Sequence, residues 1–154
     1  MDVPQPTLHR TIEVASRDFV EGGVIPDPFT CHGPGASPAF TWSGVPADAT
    51  TVAVVVSDPD APSGTFLHWL VTGLPAADGG FPAGATVAGA REWANSGRTT
   101  GWYPPCPPSG THRYVFAVFA LDAHVEAGSS QEALQAIDAH VVAWGTLTGL
   151  VRAR

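Results

Sequence analysis

The sequence predicts a mostly-β protein, a sandwich of antiparallel strands with short helices near the C-terminus. Three observations carry that prediction. Seventeen glycines and 15 prolines among 154 residues favour many turns and short strands over a helical bundle. Residues 51–57 read Thr-Val-Ala-Val-Val-Val-Ser, a β-branched run of the kind found in a strand buried on both faces. Residues 112–121 are apolar on both faces beyond their first positions, so a second strand is central as well.

Taken in order, the first forty or so residues hold three short strands, expected at Leu8–Val14, Phe29–Thr30 and Ala39–Trp42. Turn signals separate them at Glu21-Gly22-Gly23, Gly33-Pro34-Gly35 and Ser43-Gly44-Val45-Pro46. Strands at 51–57, 66–72 and 112–121 follow, and their double-sided apolarity predicts that they neighbour one another in one sheet. In the strand at 66–72, strict alternation places Phe66, His68 and Leu70 on one face. In the last, His112, Tyr114, Phe116, Val118 and Ala120 share a face. Ser129-Ser130-Gln131-Glu132 is a capping box, with Ser129 accepting from the amide of Glu132. It starts a helix expected to end near Ala136. A second helix is expected from about Asp138 to Trp144, then a β-prone segment from Thr146 to Val151 with Gly149 as a bend.

At 154 residues the chain fits one domain, 1–154, able to bury roughly two thirds of its unfolded surface. Charged residues make up 14% and hydrophobic ones 44%, a composition that supports a packed core rather than disorder. The net charge is −7, and the seven basic residues are scattered arginines. A nucleic-acid partner needs a concentrated basic face, which is missing here. No run approaches the roughly twenty apolar residues of a membrane span, and residues 1–10 lack the apolar core of a secretory signal. The chain is therefore expected to be soluble and cytoplasmic. Cys31 and Cys106 are read as free buried thiols, with a single disulfide as the alternative. Trp42, Trp93, Trp102 and Trp144 lie outside the central strands, and with so few charges they suggest an apolar patch through which a homodimer would form.

The residues that carry chemistry fall in two segments. Asp58-Pro59-Asp60-Ala61-Pro62 precedes His68-Trp69, and Pro104-Pro105-Cys106-Pro107-Pro108-Ser109-Gly110-Thr111 precedes His112-Arg113-Tyr114. Proline fixes backbone angles and removes donors, which suits a rigid pocket wall. An Asp in such a turn often caps its own backbone, and this is the plain alternative for Asp58 and Asp60. Asp58, His68 and His112 together are harder to dismiss, because three titratable groups seldom converge on apolar strands by chance. A histidine pair beside a carboxylate accepts an anion when protonated, donates to phosphate when neutral, or binds a metal. Ser63 and Ser109 lack the strand–elbow–helix setting of a nucleophile, and no Walker or dinucleotide glycine motif is present. His124 and His140 read as structural or exposed, and nothing groups His9 with His32.

At these residues the chain resembles the phosphatidylethanolamine-binding protein family, its bacterial branch in particular. The resemblance rests on Ser37-Pro38-Ala39-Phe40-Thr41-Trp42-Ser43-Gly44-Val45-Pro46, the Asp58–Pro62 turn and His68-Trp69. It continues through Gly101–Pro108, Gly110–Phe116 and Ala139–Leu147. It implies a large antiparallel sheet with a smaller sheet packed on it, C-terminal helices, and a pocket for phosphate, acetate or a phospholipid head group. Carried over, that pocket uses Asp58, Pro62, His68, Pro105, His112 and Tyr114, with Asp60 beside them. No cofactor is implied. Family members are linked to kinase regulation and protease inhibition, so a kinase or protease is the protein partner that the resemblance suggests. Three positions depart from the pattern: Pro104 stands where the family has glycine, Asn95-Ser96-Gly97-Arg98 replaces an Asn-Asp-aromatic-Gly sequence, and Val151 replaces a tyrosine. The competing reading is a metal-assisted hydrolase built on His68, His112 and Asp58.

Overall fold

The computed structural model describes residues 1–7, 10–85 and 88–154. Its framework is a five-stranded antiparallel sheet in the order β6-β4-β3-β7-β8. The strands are β3 (Thr51–Asp58), β4 (Phe66–Leu74), β6 (Arg91–Glu92), β7 (Thr111–Leu121) and β8 (Val141–Arg152). The three strands expected to be neighbours are β4, β3 and β7. Every residue of β3 is buried, as its β-branched run requires. A three-stranded sheet, β1 (Glu13–Ala15), β2 (Phe40–Ser43) and β5 (Gly79–Phe81), runs in the order β1-β2-β5.

The large sheet has two covered faces. On one, Val52, Val54, Val56, Trp69, Phe116 and Val118 pack with Phe40, Trp42 and Phe81 of the small sheet. On the other, Ala53, Val55, Leu67, Leu70 and Phe119 pack with Ala133, Leu134 and Ile137 of helix α1 (Ser130–His140). Fully burying a side chain of the Val, Leu or Phe class contributes about 1.5–3 kcal/mol, so these two layers hold the fold together. The mostly-β sandwich with C-terminal helical structure is therefore present.

Several boundaries differ from expectation. The first strand begins at Glu13, and Leu8 and His9 lie outside the described residues. Phe29–Thr30 is not a strand: Pro26 and Pro28 set helical φ values, and Phe29 N–H bonds Pro26 O in a short 3-10 turn over Asp27–Phe29. There is one C-terminal helix rather than two. It runs past Ala136 to His140, and the second expected helix is the start of β8, where residues 141–152 pair with β7 from Thr111 to Leu121. A long ladder and β-branched side chains outweigh a weak helical pattern there. The helix start is as predicted, with Glu132 N–H bonding Ser129 Oγ at 3.1 Å; the Glu132 carboxylate reaches back to the amide of Gly128.

Gly149 is not a bend but a point of close approach. A Cβ there would come within 2.8 Å of Ile25 and Phe19. The tryptophans form no surface patch: Trp42 and Trp93 are buried, Trp102 donates to Gly35 O, and Trp144 stacks on Phe119. Among the described residues only Met1, Val20 and Val24 are large, apolar and exposed. The reason given for a homodimer thus falls away.

Candidate functional site

Asp58 closes β3, opposite Phe66 of β4 on one side and within reach of β7 on the other. It caps its own turn and also meets a histidine. Its Oδ1 accepts from the amide of Asp60 at 2.8 Å, and its Oδ2 accepts from His112 Nδ1 at 2.7 Å. Both partners are almost wholly buried, with side chains 5% and 8% exposed. Tyr114 follows two positions along the same face of β7. Burial first, and then the Asp58 charge, push its hydroxyl well above the usual phenol range, so it stays a proton donor.

His68 reaches the same place through a break in the ladder. Val56 pairs with Trp69 but Ser57 pairs with Leu67, so His68 is an extra residue in β4. Such a bulge reverses the alternation. Leu67 and Leu70 both face α1, while His68 and Trp69 both face the other way. The expectation that Leu70 shares a face with His68 is corrected by this one inserted residue. Without it, one of β4's two apolar faces would be out of register with the core.

His68 Nδ1 lies 2.6 Å from the carbonyl oxygen of Tyr103. A carbonyl only accepts, so Nδ1 carries the proton and the neutral ring keeps a lone pair on Nε2. Burial lowers the pKa of this ring below 6.5, against the opposing effects of the Tyr103 carbonyl and Asp58. His112 turns Nδ1 to the Asp58 carboxylate, so its Nε2 too is left for the cavity. Neither Nε2 has a protein partner among the described residues, and no buried polar side-chain atom there is left unpaired. Solvent therefore reaches both.

These groups share one cavity of about 200 Å3, below the roughly 300 Å3 at which drug-sized ligand sites begin. Asp58, Pro62, His68, His112 and Tyr114 line it, together with Phe66 and Tyr103. Four other clefts among the described residues are larger, and none of them is lined by a histidine. Phe66 lies 4.7 Å from the His68 ring and 5.3 Å from Tyr103, centroid to centroid, forming an aromatic rim.

Two residues named from sequence stand behind the wall rather than in it. Asp60 takes Arg113 in a fork: its Oδ1 accepts from Nη2 at 2.7 Å, and its Oδ2 accepts from Nε and from the Arg113 amide. This partner brings its pKa down to about 2. Pro105 turns its carbonyl to the amide of Cys31. Replacing Asp60 with asparagine is expected to cost about 1 kcal/mol or less, as for other exposed pairs. Anion affinity should fall severalfold, because the Asp58 turn loses its second tie to β7, the Asp60–Arg113 fork. Urea melts and calorimetry read the two effects, and a stability loss with unchanged affinity would refute the positioning role.

The cysteines are not free thiols. Cys31 and Cys106 form a disulfide across 75 residues, with Cα atoms 5.4 Å apart. The loop at 27–35 comes to the proline-rich loop through Cys31 N–H on Pro105 O and Trp102 Nε1 on Gly35 O. Neither contact is visible in the spacing of two cysteines. Sequence reasoning also missed Tyr103, Phe66 and Cys106 as wall residues, and the signal for Tyr103 was its place directly before Pro104-Pro105. Of the three departures, Pro104 packs against Gly35 and Asn95 bonds Thr99 and Gly101. Val151 pairs with His112 but stays outside the cavity.

The protein's class is that of two-sheet antiparallel β sandwiches, here with two histidines and an aspartate brought to one small cavity. Comparison places the chain within it. The profile of the family described as phosphatidylethanolamine-binding protein matches residues 15–152. A UPF0098 protein of Methanothermobacter thermautotrophicus is 39% identical over 142 residues, covering 87% of this chain and 94% of that one. LppC of Mycobacterium tuberculosis, whose name marks it as a lipoprotein, is 39% identical over 130 residues, which are 83% of this chain and 64% of LppC. The crystal structure of the homologue CT736 from Chlamydia trachomatis superposes with a TM-score of 0.86 at 31% identity, covering 94% of this chain and 99% of that one. Escherichia coli YbcL gives the same TM-score at 28% identity, covering 93% and 99%. The chain belongs to the phosphatidylethanolamine-binding protein family.

Proposed function

We propose that this chain binds a small anion of the phosphate or carboxylate type in the cavity beneath His68 and His112, and takes up a proton as it does so. Inorganic phosphate, acetate and the head group of a phospholipid share the required chemistry. The observation that carries this reading is the pair of locked imidazoles. Each commits Nδ1–H to the protein and leaves Nε2 to the cavity. The only fixed charge in the wall is that of Asp58, and no arginine lies among the described lining residues. An anion needs donors, and Tyr114 supplies one. The others arise when Nε2 of a histidine is protonated, which turns an acceptor into a donor and offsets the Asp58 charge. The volume suits a head group rather than a whole lipid.

The same wall favours binding over turnover. It offers groups that hold and exchange protons but no serine, threonine or free thiol poised as a nucleophile among the described residues. No helix among the described residues is long and apolar enough to cross a membrane. The disulfide fits an oxidising compartment better than the cytoplasm expected from sequence.

Sulfate is the cleanest probe, because its charge is constant through the histidine range. Its affinity is expected to rise as pH falls from about 8 to about 5. The rise continues below 6.5, because the His68 ring is held below that value by burial. Calorimetry in buffers of different ionisation enthalpy should show proton uptake on binding. The unliganded protein behaves oppositely. His68 binds protons less readily when folded than when unfolded, so its contribution to stability is lost as pH falls below 6.5. Sulfate affinity that stays flat over this range would overturn the proton-coupled reading.

A further inference from the structure

The segment Tyr103–Pro108 forms one wall of the cavity and orients His68 through the Tyr103 carbonyl. Four of its six residues are prolines and cannot donate. Among the described residues its main-chain ties are Tyr103 N–H on His68 O and Cys31 N–H on Pro105 O. The covalent tie is the disulfide, in which Cys106 itself lines the cavity. Both cysteines are exposed, unlike the buried bridges that resist reduction, and exposed disulfides are the labile, regulatory ones. His32 Nε2 lies 3.9 Å from Cys31 Sγ, where a protonated imidazole stabilises a departing thiolate.

We infer that Cys31–Cys106 is a thiol-accessible redox site that sets the affinity of the cavity. A thiolate of a small dithiol attacks Cys106 Sγ, and the Cys31–Cys106 bond breaks. Cys31 leaves as a thiolate beside His32 and takes up a proton. The second thiol of the reductant then attacks the mixed disulfide, freeing the Cys106 thiol and leaving the reductant as its own disulfide. Two electrons and two protons pass to the protein. The opened loop no longer holds the Tyr103 carbonyl on His68, so the cavity loses its shape. Coupling is reciprocal: an anion in the cavity makes the bridge harder to reduce at equilibrium. The ligand half of this inference rests on the anion-binding reading, but the loop half does not.

The test uses the full chain, oxidised and after treatment with dithiothreitol, alongside a Cys31→Ser/Cys106→Ser variant. Dithiothreitol is expected to open the bridge without denaturant, and a monothiol should be trapped on Cys106, as read by mass spectrometry. Amide exchange at Tyr103 and Cys31 should quicken, while far-ultraviolet circular dichroism stays native. Sulfate affinity should drop by about fivefold or more in both the reduced protein and the variant. A bridge that opens only in denaturant, trapping on Cys31, loss of the fold on reduction, or unchanged exchange at Tyr103 would each overturn the inference. If neither redox form binds sulfate, the anion reading fails, and the exchange rates still decide whether the bridge controls the loop.

Discussion

His112→Ala is expected to lower stability by about 1–3 kcal/mol, the range for leaving a buried polar group without its hydrogen-bond partner, and to abolish sulfate binding. The Asp58 side chain is only 5% exposed and gives one oxygen to the Asp60 amide. Without His112 its other oxygen loses its imidazole donor at a buried strand end. The double variant Asp58→Asn/His112→Ala should be more stable than the single one, because the stranded carboxylate is gone, while its sulfate binding stays absent. Urea midpoints for the four proteins of this cycle separate the pairwise contribution from the rest. A single variant that loses less than about 1 kcal/mol would show that solvent reaches Asp58 and that the pair is an ordinary surface contact.

Gly145→Ala is expected to cost about 3 kcal/mol, at the upper end for overpacked sites. Gly145 lies in β8 opposite Val118. A Cβ there would stand 1.6 Å from the carbonyl oxygen of Ile12. The N-terminal segment is clamped at that point by Ile12 N–H on Trp144 O at 3.0 Å, and it covers the outer edge of β8. The obstacle is backbone, so no side-chain rotation relieves it. Gly128→Ala is the control, since its nearest neighbour is the flexible end of Glu132 at 3.4 Å. It should stay within about 0.5 kcal/mol of the parent. Thermal melts of both variants check the contrast, and equal midpoints would mean that the segment does not seat against β8.

Much of the framework was legible because its causes are local. The nearly unbroken β-branched run of β3 and the two apolar faces of β7 announce central strands, since steric preference and alternation act within a few residues. The Ser129 cap announces the helix start for the same reason. Asp58, His68, His112 and Tyr114 were legible as a set, standing at strand ends beside prolines.

What escaped is non-local or depends on one inserted residue. The helix does not end near Ala136, because the competing strand at 141–152 is stabilised by its ladder to β7, whose residues 111–121 lie far upstream. Leu70 changes faces because His68 is a bulge, and a bulge is defined by the partner strand's register rather than by its own sequence. Asp60 looked like a cavity residue until Arg113 claimed both of its oxygens.

The sequence by itself determined the central strands, the capped helix, the family and the residue types at the cavity. Each follows from side-chain shape, hydrogen-bonding capacity or motif order along the chain. Only the tertiary structure decided which atoms meet: the Cys31–Cys106 bridge, the Tyr103 carbonyl on His68, and hence which imidazole nitrogen faces the cavity. Those are contacts between segments tens of residues apart, and the shared core that brings them together is encoded in no single segment.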